Sequence, residues 1–105
     1  MSLHVVDKDD FNKKLEEAGS KLVIVDFFAT WCGPCKMIAP ILESMVAENP
    51  NLVVLKVDVD ECEDLATEYS ISAMPTFIFI KNKTKVDTLT GANPEKLKAL
   101  AASLL

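Results

Sequence analysis

The run Leu22-Val23-Ile24-Val25-Asp26-Phe27-Phe28-Ala29 is apolar at every position but one. A strand without polar alternation has to be covered on both faces, and in a parallel sheet that cover comes from helical crossovers. The chain must therefore supply helices on either side of this strand. With 105 residues, 50% of them hydrophobic, it has the material for one ordinary domain with a single core, spanning residues 1–105. No repeat, low-complexity tract or Gly/Ser/Pro linker divides it.

The flanking segments fit that demand. Ser2 to Val6 reads as a short strand, and Asp7 can cap a helix that carries Phe11, Leu15 and Ala18 and ends near Gly19. After Cys32, the pairs Met37/Ile38, Ile41/Leu42 and Met45/Val46 recur every four residues, which predicts a helix with a broad buried stripe running to about Asn49. Pro40 lies inside it and predicts a kink. Leu52 to Val57 reads as a third strand, Glu63 to Tyr69 as a short helix, and Thr76 to Ile80 and Lys85 to Thr90 as two more strands. Lys81 to Thr84 suits a hairpin turn with Asn82 tolerating a positive φ, and Pro94 opens a last helix bearing Leu97, Leu100, Ala101 and Leu104. The order βαβαβαββα predicts an α/β fold, a mixed five-stranded sheet with four helices on its two faces.

Charge narrows the partners. Eleven lysines and no arginine against 16 acidic residues give a net charge of −5, which repels phosphate backbones, so nucleic acid is not an expected partner. The longest apolar run is far short of the ~20 residues of a membrane span, and no charged and apolar leader opens the sequence; a soluble protein without membrane association is expected. Three cysteines are an odd number and too few for a disulfide scaffold, which favours a reducing compartment with free or cycling thiols.

Two of those cysteines, in Trp31-Cys32-Gly33-Pro34-Cys35, could form a metal clip, a structural disulfide or a working redox pair. Zinc wants four ligands, and Cys32, Cys35, Cys62 and His4 are the only Cys and His residues, with no second paired motif; no metal is expected. A permanent disulfide closing so short a loop would remove little chain entropy. Redox chemistry is the economical use. Cys32 would sit at a helix N-terminus, where free N–H groups and the helix dipole favour the reactive thiolate. Cys35 lies one turn further on the same face, within bonding reach. Gly33 lets a substrate backbone approach, and Pro34 stiffens the loop.

Asp26 is a carboxylate within an apolar strand, on the face shared by Ile24 and Phe28, and it must be solvated, paired or neutral. A raised pKa would suit it to take the Cys35 proton through a water, as general base; the plainer alternative is an edge-of-core Asp that caps the turn. Pro75 cannot donate to a ladder and must stand at the very start of its strand. The acidic cluster Asp58, Asp60, Glu61, Glu63 and Asp64 lacks the spacing of a calcium loop and fits a solvated helix start, while Cys62 reads as a passive thiol.

Phe27-Phe28-Ala29-Thr30-Trp31-Cys32-Gly33-Pro34-Cys35-Lys36-Met37, Asp58-Val59-Asp60, Met74-Pro75-Thr76-Phe77 and Gly91-Ala92-Asn93 together resemble the thioredoxin family, in order and across the whole chain. The likeness is to the small cytosolic thioredoxins of animals. It implies the thioredoxin fold, a cis Met74-Pro75 bond facing the cysteines, and a protein disulfide reductase that acts as a dithiol electron carrier without a cofactor. Carried over by residue, Cys32 attacks, Cys35 resolves and Asp26 is the buried base. Trp31, Gly33, Pro34, Met74 and Pro75 form a docking groove whose far wall is Gly91 and Ala92. Its implied partners are disulfide-containing client proteins and an NADPH-dependent thioredoxin reductase, in the cytoplasm with the nucleus as a further compartment. Many relatives have a glycine in the 81–84 turn, where this chain has Asn82 and Lys83. Some animal members carry further surface cysteines, where this chain has Tyr69 and Ala73 around the third helix, so a monomer is expected. The sequence leaves two rival functions open: a binding module whose thiols are incidental, and an oxidase or isomerase, disfavoured by Gly-Pro between the cysteines.

Overall fold

A computed structural model describes all 105 residues. The elements follow in the order β1 (Leu3–His4), α1 (Lys8–Ala18), β2 (Leu22–Phe28), α2 (Gly33–Glu48), β3 (Leu52–Asp58), α3 (Glu63–Glu68), β4 (Thr76–Lys81), β5 (Thr84–Thr90) and α4 (Pro94–Leu104). The sheet runs β1-β3-β2-β4-β5, with β1, β3 and β2 parallel and β4 and β5 antiparallel to their neighbours. The apolar strand β2 is therefore central, as its composition demands, although only one of its two neighbours is parallel.

Period-2 alternation sorts the sheet residues onto two faces. Val23, Val25, Phe27, Leu55, Val57, Ile78 and Ile80 pack with Phe11 of α1 and Leu65 of α3. On the other face, Leu22, Ile24, Val54, Phe77 and Phe79 pack with Ile38, Leu42 and Met45 of α2 and Leu97 and Ala101 of α4. Asp26 belongs by parity to this second face, and the parallel register sets Lys56 beside it.

Local chemistry fixes the helix ends. Asp7 accepts the Asp10 N–H at 2.8 Å and Asn93 accepts the Lys96 N–H at 3.1 Å, each satisfying a donor that the helix leaves free. Helix α3 ends in a Schellman motif: Ile71 N–H donates to Ala66 O and Ser70 N–H to Thr67 O, with Ser70 at φ 55°. Glycine normally fills that left-handed position, so Ser70 holds it at some cost.

Helix α2 contains Pro40 within one continuous helix. Three sequence expectations shift. The first strand contracts to two residues, with Val5 N–H still bonded to Lys56 O. Both Asn82 (φ 52°) and Lys83 (φ 65°) are left-handed, so a two-residue turn of type I′ closes the hairpin without glycine. Met37, expected in the buried stripe of α2, is 74% exposed. The inward residues Cys35, Ile38, Leu42 and Met45 follow the 3.6 period, and Met37 stands on the other side of the helix from Cys35.

Candidate active site

Strand β2 and helix α2 meet at the four residues Ala29, Thr30, Trp31 and Cys32, at the carboxyl end of the central strand. Cys32 N–H bonds back to Ala29 O at 3.1 Å, which turns the chain, and Cys32 becomes the N-cap of α2 with Pro34 in its first turn. A cysteine at this position uses sulfur where a serine or aspartate would use oxygen: Cys32 Sγ accepts the Cys35 N–H at 3.2 Å. Cys32 and Cys35 are joined as a disulfide, their Cα atoms 5.3 Å apart. Both are almost fully buried, at 5% and 4% exposure, so accessibility does not distinguish them. What does is the cap: the amide and the dipole of α2 act on Cys32 sulfur and stabilise negative charge there.

Asp26, near the end of β2, is wholly buried, and neither carboxylate oxygen has a hydrogen-bond partner. Burial pushes its carboxyl up to about 6, and Lys56 pulls it partly back. Lys56 Nζ stands 3.8 Å from Asp26 Oδ2 and 4.7 Å from the centre of the Phe28 ring, held by a weak ion pair and a cation–π contact. An open cleft of about 260 Å³ is lined by Phe28, Ala29, Thr30, Cys35, Lys36, Ala39 and Lys56. Cys35 and Lys56 share its lining, and Asp26, paired with Lys56, does not line it itself.

Of the groove residues distant in sequence, Met74 alone is in direct contact with the cysteine cluster. Met74 packs against the cluster of Ala29, Cys32 and Cys35, the Met74–Pro75 peptide is cis, and Pro75 O accepts the Gly91 N–H at 2.9 Å. That bond ties the segment before β4 to the segment after β5, with Gly91 at φ 99° and Ala92 half-buried beside it. Trp31 is 68% exposed, and Gly33 and Pro34 are exposed with it.

Two residues entered the site that sequence reasoning had not placed there. Asp60, expected only in a solvated acidic cluster, accepts the Trp31 indole N–H at 3.1 Å, and its own N–H donates to the buried Asp58 at 2.9 Å. Lys56 is the other; a lysine inside the strand Leu52–Asp58 was a visible anomaly, but only the strand register gives it a partner. Val59 also packs on the cysteine cluster. No three His, Cys, Asp or Glu side chains gather closely enough to hold a metal ion. Cys62 is free and buried in the α1–α3 core, its thiol near the carbonyls of Val5 and Val6. Burial, and then the carboxylates of Asp64, Glu61, Asp58 and Asp7, push that thiol up, away from reactivity. His4 pairs with Glu61 at 3.3 Å on the surface, far in the sheet from the cysteines.

A family model described as Thioredoxin matches residues 2–103. Among curated proteins, the thioredoxin of Equus caballus is 50% identical over 105 residues and that of Homo sapiens 48%, in each case over the whole of both chains. Among solved structures, Fasciola hepatica thioredoxin superimposes with a TM-score of 0.95 at 43% identity, covering 98% of this chain and 99% of that one. Reduced Schistosoma mansoni thioredoxin pre-protein gives 0.93 at 43% identity over the whole of both chains. The chain thus belongs to the thioredoxin family, a thiol–disulfide oxidoreductase working through its own cysteine pair.

Proposed function

We propose that this protein, as a single unit over residues 1–105, reduces disulfides in client proteins through Cys32 and Cys35, with Asp26 as the internal base. The Cys32 thiolate attacks one sulfur of the client disulfide, the other client sulfur leaves as a thiolate, and a mixed disulfide remains. Cys35 gives its proton by way of water in the cleft to Asp26 and attacks Cys32 sulfur. The second client thiolate departs, and two electrons have passed from the dithiol to the client. A carboxyl displaced to about 6 can hold that proton transiently near neutral pH, which an ordinary aspartate cannot. Trp31, Gly33, Pro34, Met74, Pro75, Gly91 and Ala92 hold the client segment against the disulfide.

An NADPH-dependent flavoprotein reductase returns the oxidised pair to the dithiol, and this chain itself uses neither metal nor organic cofactor, only its cysteine pair. We place the protein, as a monomer, in the cytoplasm and nucleus. A buried Cys62 left free beside a cycling pair fits a reducing compartment.

One observation carries the assignment of roles: Cys32 sulfur is the acceptor that caps α2. The test is trapping. Cys35→Ser accumulates a covalent client adduct on Cys32 that dithiothreitol releases, and Cys32→Ser traps almost nothing. An adduct mapped to Cys35, or full reductase-coupled turnover in both single variants, overturns the assignment.

A further inference from the structure

Large apolar side chains left in water are uncommon enough to be informative when they gather. Trp31 at 68% and Met37 at 74% are the most exposed large hydrophobic residues away from the chain ends, and they bracket the cysteine pair. Trp31 is held by Asp60. Met37 has no such bond, and the sequence period had put it in the core.

Helix geometry says where Met37 reaches. In α2 it stands one turn after Gly33, and Cα–Cβ bonds tilt toward the helix N-terminus, so its side chain leans over Gly33 and Pro34. A Cβ on Gly33 would meet no heavy atom within 4 Å, and Gly33 is not left-handed. Neither internal packing nor backbone conformation requires a glycine there. Gly33, Pro34 and Met37, all exposed, thus form one open strip that runs from the cysteine turn along the outer side of α2.

The geometry points to a second client contact on this outward face of α2: a protein disulfide lays an aliphatic or aromatic side chain flanking its reacting cysteine against Met37. This rests on the docking groove proposed above and extends it past the cysteines. A methionine suits the task because its unbranched, polarisable side chain moulds to neighbours of different shape, as a reductase of many clients needs. Gly33 leaves room for the client backbone to come close enough for that contact.

The test uses chemically pre-reduced protein, so that the reductase plays no part. Rate constants are measured for insulin, a protein disulfide, and for 5,5′-dithiobis(2-nitrobenzoate), which offers no flanking side chain. Met37→Gln keeps the length and helix propensity of the residue while making it polar. It lowers the ratio of the insulin rate constant to the small-disulfide rate constant about five- to tenfold, on the scale expected for losing a partly buried apolar contact. Met37→Leu restores most of that ratio. A ratio unchanged in Met37→Gln, including through an equal slowing with both substrates, overturns the inference. Native protein unable to reduce insulin, while still reacting with the small disulfide, overturns the client reading itself and the inference with it.

Discussion

Replacing Asp26 by asparagine should make the oxidised protein more stable above pH 6 and leave it unchanged near pH 4. The carboxyl rises from an ordinary 3.8 to about 6 on folding, because burial without a hydrogen-bond partner disfavours its charge more than Lys56 favours it. At about 1.4 kcal/mol for each tenfold change in proton affinity, the ionised group costs about 3 kcal/mol at neutral pH. The sign follows from proton counting. Between pH 4 and 6 the folded state retains a proton that the unfolded state has released, so stability falls as pH rises across this window and is flat above it. Asparagine matches aspartic acid in volume and is equally uncharged, so the comparison isolates the charge. Urea unfolding of both proteins, followed by far-UV circular dichroism at each pH from 4 to 8, gives the difference, in which all other titrations cancel. Parallel stability curves, or a wild type more stable than Asp26→Asn at pH 8, would refute the buried-charge account. The same variant should slow release of reduced client at pH 7, since the proton acceptor is gone.

Lys56→Met removes the one group that lowers the Asp26 pKa, so the carboxyl should titrate higher still; carbon-13 NMR of the labelled carboxyl reads this directly, and a downward move contradicts the ion pair. Asp60→Ala deletes the acceptor of the Trp31 indole. The fluorescence anisotropy of this single tryptophan should fall while stability changes by about 1 kcal/mol or less, and unchanged anisotropy would mean that the bond does not restrain the ring. Ser70→Gly should stabilise by about 0.5–1 kcal/mol, because glycine occupies the left-handed position without a Cβ clash; a lower urea midpoint would count against strain there.

What could be read from the sequence was what is local. Asp7 and Asn93 cap helices because a side-chain oxygen needs only the amide three residues on. The cysteine turn and the central strand likewise announce themselves by spacing and by unbroken apolarity. Met37 was misplaced because pairing it with Ile38 widened the stripe beyond what a 3.6-residue turn can bury, and the apolar residue on the outer side was counted as core. Three contacts at the site were invisible for a different reason. Trp31 to Asp60 spans 29 residues, Asp26 to Lys56 depends on the β2–β3 register, and Gly91 to Pro75 on a hairpin closing correctly. Each is a product of topology, which propensity and period do not encode. The family resemblance supplied Met74, Pro75, Gly91 and Ala92 as a set; physical reading of the residues alone reached only the cysteines, the turn between them and Asp26.

That Cys32 sulfur caps α2 makes the helix a participant in the redox equilibrium. On reduction, the same amide that met a neutral disulfide sulfur meets a thiolate, and a hydrogen bond to a charged acceptor is roughly twice as strong. The dithiol state is therefore the one in which the helix start is better held, and this gain at the cap weights the balance toward it, opposing in part the reducing power of the pair.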